Sequence, residues 1–158
     1  MPSTPYKSPF APSKPSQVWD VLVGALQSDP TLKRAVDTWQ VLDGRQEDTM
    51  APGDEDMPLL RLEPVTGQGS WLDENAHQLI IPVKFTLGIV GTDVRILWDF
   101  WDAVRSALFT GNSVLNDMYK LGVIQKTIST PATAAALWGE ASGLSGTGVI
   151  TIKMRVDS

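Results

Sequence analysis

Cysteine is absent and histidine occurs once among the 158 residues. Without cysteine there is no disulfide, no zinc–thiolate site and no cysteine nucleophile, which fits a protein assembled in the cytoplasm. A single histidine, His77 in "DENAHQ", is too few for a zinc site or a catalytic triad. No run of about 18 apolar residues occurs, so no membrane span is expected. The amino end, "MPSTPYKSPFAPSKPS", has no apolar core and does not read as a signal peptide. Intact catalytic motifs are also missing. "GLSGTG" (143–148) has the glycines of a phosphate loop, Gly146 and Gly148, but no lysine follows, and the spacing is not that of a nucleophile elbow. "GDEDMP" lacks the alternating ligands of a calcium loop. No enzyme, metal or cofactor is expected, and there is no internal repeat.

Bases are outnumbered: 13 Lys and Arg stand against 18 Asp and Glu, a net charge of −5 with a pI near 4.7. That balance argues against a chain that grips nucleic acid by its phosphates. The acid is concentrated. Between Asp43 and Pro58 lie Asp43, Glu47, Asp48, Asp54, Glu55 and Asp56 with one base, Arg45, a sum equal to the whole chain's −5. A solvated loop is the plain reading of this segment; a metal site or an acidic lumen or partner surface are the alternatives.

The length suits one domain. Residues 1–15 hold Pro2, Pro5, Pro9, Pro12 and Pro15. Proline fixes φ and removes a donor, so this arm should be extended and in part polyproline-like, with Tyr6 and Phe10 as anchors. The remainder, 16–158, reads as a single α+β domain. A helix starts near Ser16, with Val18, Trp19, Leu22, Val23 and Leu26 on one face; a further turn is expected over 31–36. Strands are expected over 38–42, 59–65, 78–90, 122–130 and 147–156. In the clearest of them Leu79, Ile81, Val83, Phe85, Leu87 and Ile89 alternate with other residues. Pro82 removes a ladder bond and should lie at an edge or bulge. Pro131 suits a short helix start. The plan is a mainly antiparallel sheet with helices on one face.

One helix stands out: "GTDVRILWDFWDAVRSALF", 91–109, capped by Thr92 or Asp93. Val94, Leu97, Trp98, Trp101, Val104, Leu108 and Phe109 fall on one broad face, and Ile96, Phe100 and Ala107 widen it to about twice the ~100° stripe that a surface helix needs. Either the helix packs on two sides within one chain, or one side meets a neighbouring subunit. On the second reading the interface candidates are Ile96, Phe100 and Trp101, with Tyr6 and Phe10 on the arm. The six tryptophans could stack on sugars or bases, but three sit at core spacing on helices, so packing is the default.

The order of "VWDVLVGAL", "HQLIIPVKFTLGIVGTD", "DVRILWDFWDAVRSALF" and "GTGVITIKMRV" resembles the tail terminator proteins of long-tailed bacteriophages over roughly residues 16–157. The proline-rich arm and the 130–147 segment depart from the simplest family pattern. The resemblance implies a virion protein of the tail or neck, assembled in the host cytoplasm. It would form a hexameric homo-oligomer that caps the tail tube protein, ends elongation and offers a surface to the head-tail connector or stopper protein. Such a ring needs apolar area on two sides of each subunit. Six copies of −5 would carry about −30, a field that lets passing DNA slide rather than stick. The alternatives are another neck component (a head-completion or connector-adaptor protein) and an unrelated binding module.

Overall fold

The structure, a computed structural model, describes residues 9–44, 52–65, 78–110, 113–135 and 143–155. Short polar side chains open the helices. α1 (Lys14–Ser28) begins after Ser13, whose hydroxyl accepts the N–H of Ser16 at 3.3 Å. Pro15 then falls in the first turn, where a missing N–H is not needed. The cap therefore lies one turn upstream of Ser16, the residue expected to hold it. Asp29 ends α1 and caps α2 (Pro30–Ala35), accepting the N–H of Leu32 at 3.1 Å.

The described strands form one sheet in the order β1 (Thr38–Val41), β2 (Leu59–Pro64), β3 (Gln78–Ile89), β6 (Leu144–Arg155) and β4 (Val123–Ile128), with β5 (Ala132–Ala135) also on β6. Only the β1–β2 pair is parallel among them. β3 and β6 pair along their whole length, from Gln78↔Arg155 to Ile89↔Leu144. Period-2 alternation sends Val83, Phe85, Leu87 and Ile89, with Ile150, Ile152 and Met154, to one face, where all are buried. Leu60 and Leu62 of β2 join them. α1 packs Val18, Leu22 and Leu26 on this layer, and α3 (Val94–Phe109) adds Leu97, Val104 and Leu108, in one continuous core. The α+β architecture, mainly antiparallel with helices on one face, is thus as the patterning implies.

Pro82 sits in β3, yet β2 stops opposite Val83, so residues 78–82 have no neighbour on that side among the described strands. The Pro82 carbonyl accepts the N–H of Val65 at 3.2 Å. Its imide nitrogen points the same way, off the end of β2, and the ladder to β6 loses nothing.

Three segments depart from expectation. β6 begins at Leu144, three residues ahead of the strand expected over 147–156, and so takes in most of "GLSGTG". Its glycines make room. A Cβ on Gly146 would lie 2.8 Å from Pro131 and 3.0 Å from Leu97, and one on Gly148 would run into the Phe85 ring, its cross-strand partner. Pro131 does not start a helix; β5 follows it. Ser129 donates its N–H to Val149 O at 3.0 Å and its hydroxyl accepts the Val149 N–H at 2.8 Å, so the chain stays on β6 through the break. β4 and β5 are accordingly one edge strand interrupted at 129–131. Lastly, α4 (Ser113–Lys120) is a helix that the apolar pattern did not mark. Met118 alone of its described side chains is buried.

Candidate assembly surfaces

Asp93 starts α3 by accepting the N–H of Arg95 at 3.0 Å, and its carboxylate also pairs with the Arg95 guanidinium at 3.1 Å. That guanidinium first, and the backbone donor second, hold the Asp93 carboxyl below its ordinary value of 3.8; the same pairing raises Arg95. A depressed carboxylate contributes stability above its unfolded value, and the contribution is lost as pH falls through the folded one. Asp93 should therefore keep its charge to lower pH than an ordinary aspartate. A carbonyl-carbon NMR titration giving it the value of a model peptide would contradict this.

The helix does not bury one broad face. Leu97, Val104, Ala107 and Leu108 are buried, and Phe100 and Trp101 pack half-buried beside them. Trp98 is 56% exposed, Ile96 50% and Phe109 39%. At about 100° per residue, Ile96 lies on one flank of the buried stripe and Trp98 and Phe109 on the other. Trp98 and Phe109 thus leave the core face to which the helical wheel assigns them. The sheet beneath is wide enough to cover only the central stripe. The C-terminal end of α3 is held by Lys126 from β4. Its Nζ donates to Leu108 O at 2.7 Å and lies 5.4 Å from the Phe109 ring and 5.1 Å from that of Tyr119. A cation there suits the negative end of the helix dipole.

Beside the Trp98 flank runs an open groove of about 440 Å³, lined by Trp98, Asp99, Trp101, Asp102, Thr130 and Pro131. Trp101 forms a fixed wall, because its indole N–H donates to Ser129 O at 2.9 Å, at the break in the edge strand. The missed residues are Trp98 and Pro131. Their signal was available in a pair of i, i+3 tryptophans wider than one stripe can bury, but the partner wall comes from a distant segment.

Of the acidic candidates, Glu47 and Asp48 lie outside the described residues, as does Tyr6 of the arm. The others divide. Asp43 accepts the indole N–H of Trp19 at 2.8 Å, tying the end of β1 to α1. Asp56 accepts the N–H of Gly53 at 2.8 Å and closes the single 3-10 turn Asp54–Asp56. Asp54 and Glu55 are exposed. A parallel β1–β2 pair needs a crossover, and residues 42–58 supply it. Met57 and Leu59 form a small buried cluster apart from the main core, with Leu59 on the sheet face away from the helices, so the end of the crossover covers that face. Replacing Asp43 by Ala, which leaves the Trp19 N–H half-buried without its acceptor, should cost about 1–3 kcal/mol in denaturant unfolding. A loss below about 0.3 kcal/mol would mean water serves as well.

The face of the sheet away from the helices carries Arg61, Lys84, Lys153 and Arg155, with Glu63 as the acid opposite Lys84 at 3.8 Å. Arg61 donates to the Gln40 side chain at 2.8 Å. The even charge balance outside the acidic segment hides this basic face, although the alternation in each strand marks it. Phe10 of the arm is 79% exposed. His77 lies outside the described residues. Among the described residues no group of three or more metal-ligating side chains comes together, and no helix is long and apolar enough to cross a membrane. No family model and no curated protein matches the chain.

Proposed function

We propose that this chain is a structural virion protein of a long-tailed bacteriophage, a tail terminator whose copies close a six-membered ring on the tail tube. The observation that carries the reading is α3: Ile96 on one flank and Trp98 with Phe109 on the other leave large apolar side chains in solvent on opposite sides of one helix. A lone subunit gains nothing from such flanks, whereas a ring subunit has a neighbour on each side. The order of elements supports the same reading, with the paired long strands β3 and β6 and the helix between them in sequence. In this role the chain is not an enzyme and takes no cofactor. It meets the tail tube protein on one side and the connector or stopper on the other. Its acidic crossover, with Asp54 and Glu55 in solvent, repels DNA phosphates if it faces the lumen. The test is the copy number of this chain in assembled tails, by native mass measurement. Six per tail is expected. Any other count sinks the hexameric ring, and absence of the chain from tails sinks the virion role.

A further inference from the structure

We propose that the groove between Trp98 and Pro131 receives the segment Pro9–Pro12 of a second copy of this chain. The inference rests on the ring reading and names the contact that links one subunit to the next. Three observations converge. The segment Pro9-Phe10-Ala11-Pro12 repeats proline at an interval of three. Three residues make one turn of a polyproline II helix, so both rings fall on one side once the segment, which bends at Pro9 and Phe10 in the single chain, extends on docking. The next residue, Ser13, already has φ −73° and ψ 162°, within that conformation. Proline segments of this spacing dock in aromatic-lined grooves, since the fixed φ of proline restricts the unbound chain and proline has no N–H to leave unpaired.

The groove has the matching chemistry. Trp98 offers an exposed indole face, Trp101 is locked by its bond to Ser129 O, and Pro131 forms the far side. About 440 Å³ lies within the range of pockets that hold a ligand. Charge is complementary as well. Residues 1–15 contain Lys7 and Lys14 and no acid, whereas the groove is edged by Asp99 and by Asp102, which also pairs with Arg105 at 2.9 Å.

The two halves do not meet among the described residues of one chain. Residues 9–12 are exposed where they lead into α1, and no described residue of the arm lines the groove. Donor segment and receptor groove are different surfaces, so their pairing between copies is heterologous and repeats from each subunit to the next, the geometry that closes into a ring.

The test exploits the absence of native cysteine. Ala11 and Thr130, both exposed, are replaced together in the full chain, Ala11→Cys with Thr130→Cys. The protein is oxidised with oxidised glutathione over a concentration series up to its solubility limit. The expected product on a non-reducing gel is a ladder of covalent multimers. Adding Trp98→Ala should cut multimer yield about tenfold, the loss typical for removal of a buried interface tryptophan. An internal disulfide in monomers, no product at any concentration, or a ladder indifferent to Trp98→Ala each overturns the proposal. The ring reading fails separately. A Trp98-dependent ladder from a protein present in tails at other than six copies sinks the hexamer but keeps the groove. Six copies per tail without a ladder does the reverse.

Discussion

Replacing Phe85 by alanine should lower the unfolding free energy by about 3–5 kcal/mol. Phe85 is fully buried on the helix face of β3, and its ring lies over Gly148 across the ladder to β6. Glycine offers no side chain to refill the space, so the cavity should persist. A domain of this kind has about 5–15 kcal/mol in all, so the variant should lose roughly a fifth of its stability or more. The reciprocal change, Gly148→Ala, forces a methyl group into the same ring and should cost about 1–3 kcal/mol by overpacking. Because the two residues share one space, the costs should not add. In the combined Phe85→Ala, Gly148→Ala variant the added methyl fills part of the cavity, and the total should fall short of the sum by 0.5 kcal/mol or more, about the lower bound for residues in contact. Urea unfolding of the four proteins measures all of this. Strict additivity would show that the ring does not pack on Gly148.

The second large effect concerns assembly rather than folding. Ile96 is 50% exposed, lies in the first turn of α3, and that turn holds no acid of its own. Ile96→Glu places a carboxylate three residues after the Asp93 cap, where it complements the helix dipole and can reach back to the cap's own N–H. Folding stability should stay within about 0.5 kcal/mol of the parent or rise. In a ring the same carboxylate would be forced into an apolar contact. An interface residue of that kind typically contributes about 2 kcal/mol or more, roughly thirtyfold in affinity at each junction. The variant should be a well-folded chain that does not enter tails. Normal incorporation would remove the Ile96 flank from the interface.

Strand positions were readable because one face of the sheet is buried along its length, whereas the other is buried only around Leu59, Thr86 and Ser145. Leu79 to Ile89 alternate cleanly, and β3 ends within one residue of its expected boundary. The helix of Val94–Phe109 was legible for the same reason, from its cap and apolar content. What its composition could not show was which apolar residues the sheet has room to cover. The wheel ranks Trp98 with Leu97, but only packing against Gly146 and β3 decides that Leu97 is inside and Trp98 outside. β5 was hidden for a related reason. "ATAA" has no apolar alternation, and pairing with Leu144–Thr147 alone makes it a strand. α4 is short and polar, with a charged tail at Lys120, and takes its place by contact with α1. The groove joins a helix face to a strand break some thirty residues further on, about the separation that the Trp101–Ser129 bond spans, and no local pattern encodes such a meeting.

The position of β6 in the sheet has a consequence for synthesis. β6 is the last of the described strands in sequence, yet β3, β4 and β5 all bond to it. A nascent chain that has emerged only through Ala135 has α1, β1, β2 and β3 in hand, but β3 lacks its longest neighbour and β4 and β5 have nothing to pair with. Contacts between residues as far apart as Gln78 and Arg155 cannot form until translation has passed residue 155, and such non-local closure is slow. The half-made protein therefore cannot present a finished surface to its partners. A truncated product that lacks residues 144–155 would be unfolded and open to proteolysis rather than a competitor for assembly, which makes the central strand a check that translation has passed residue 155.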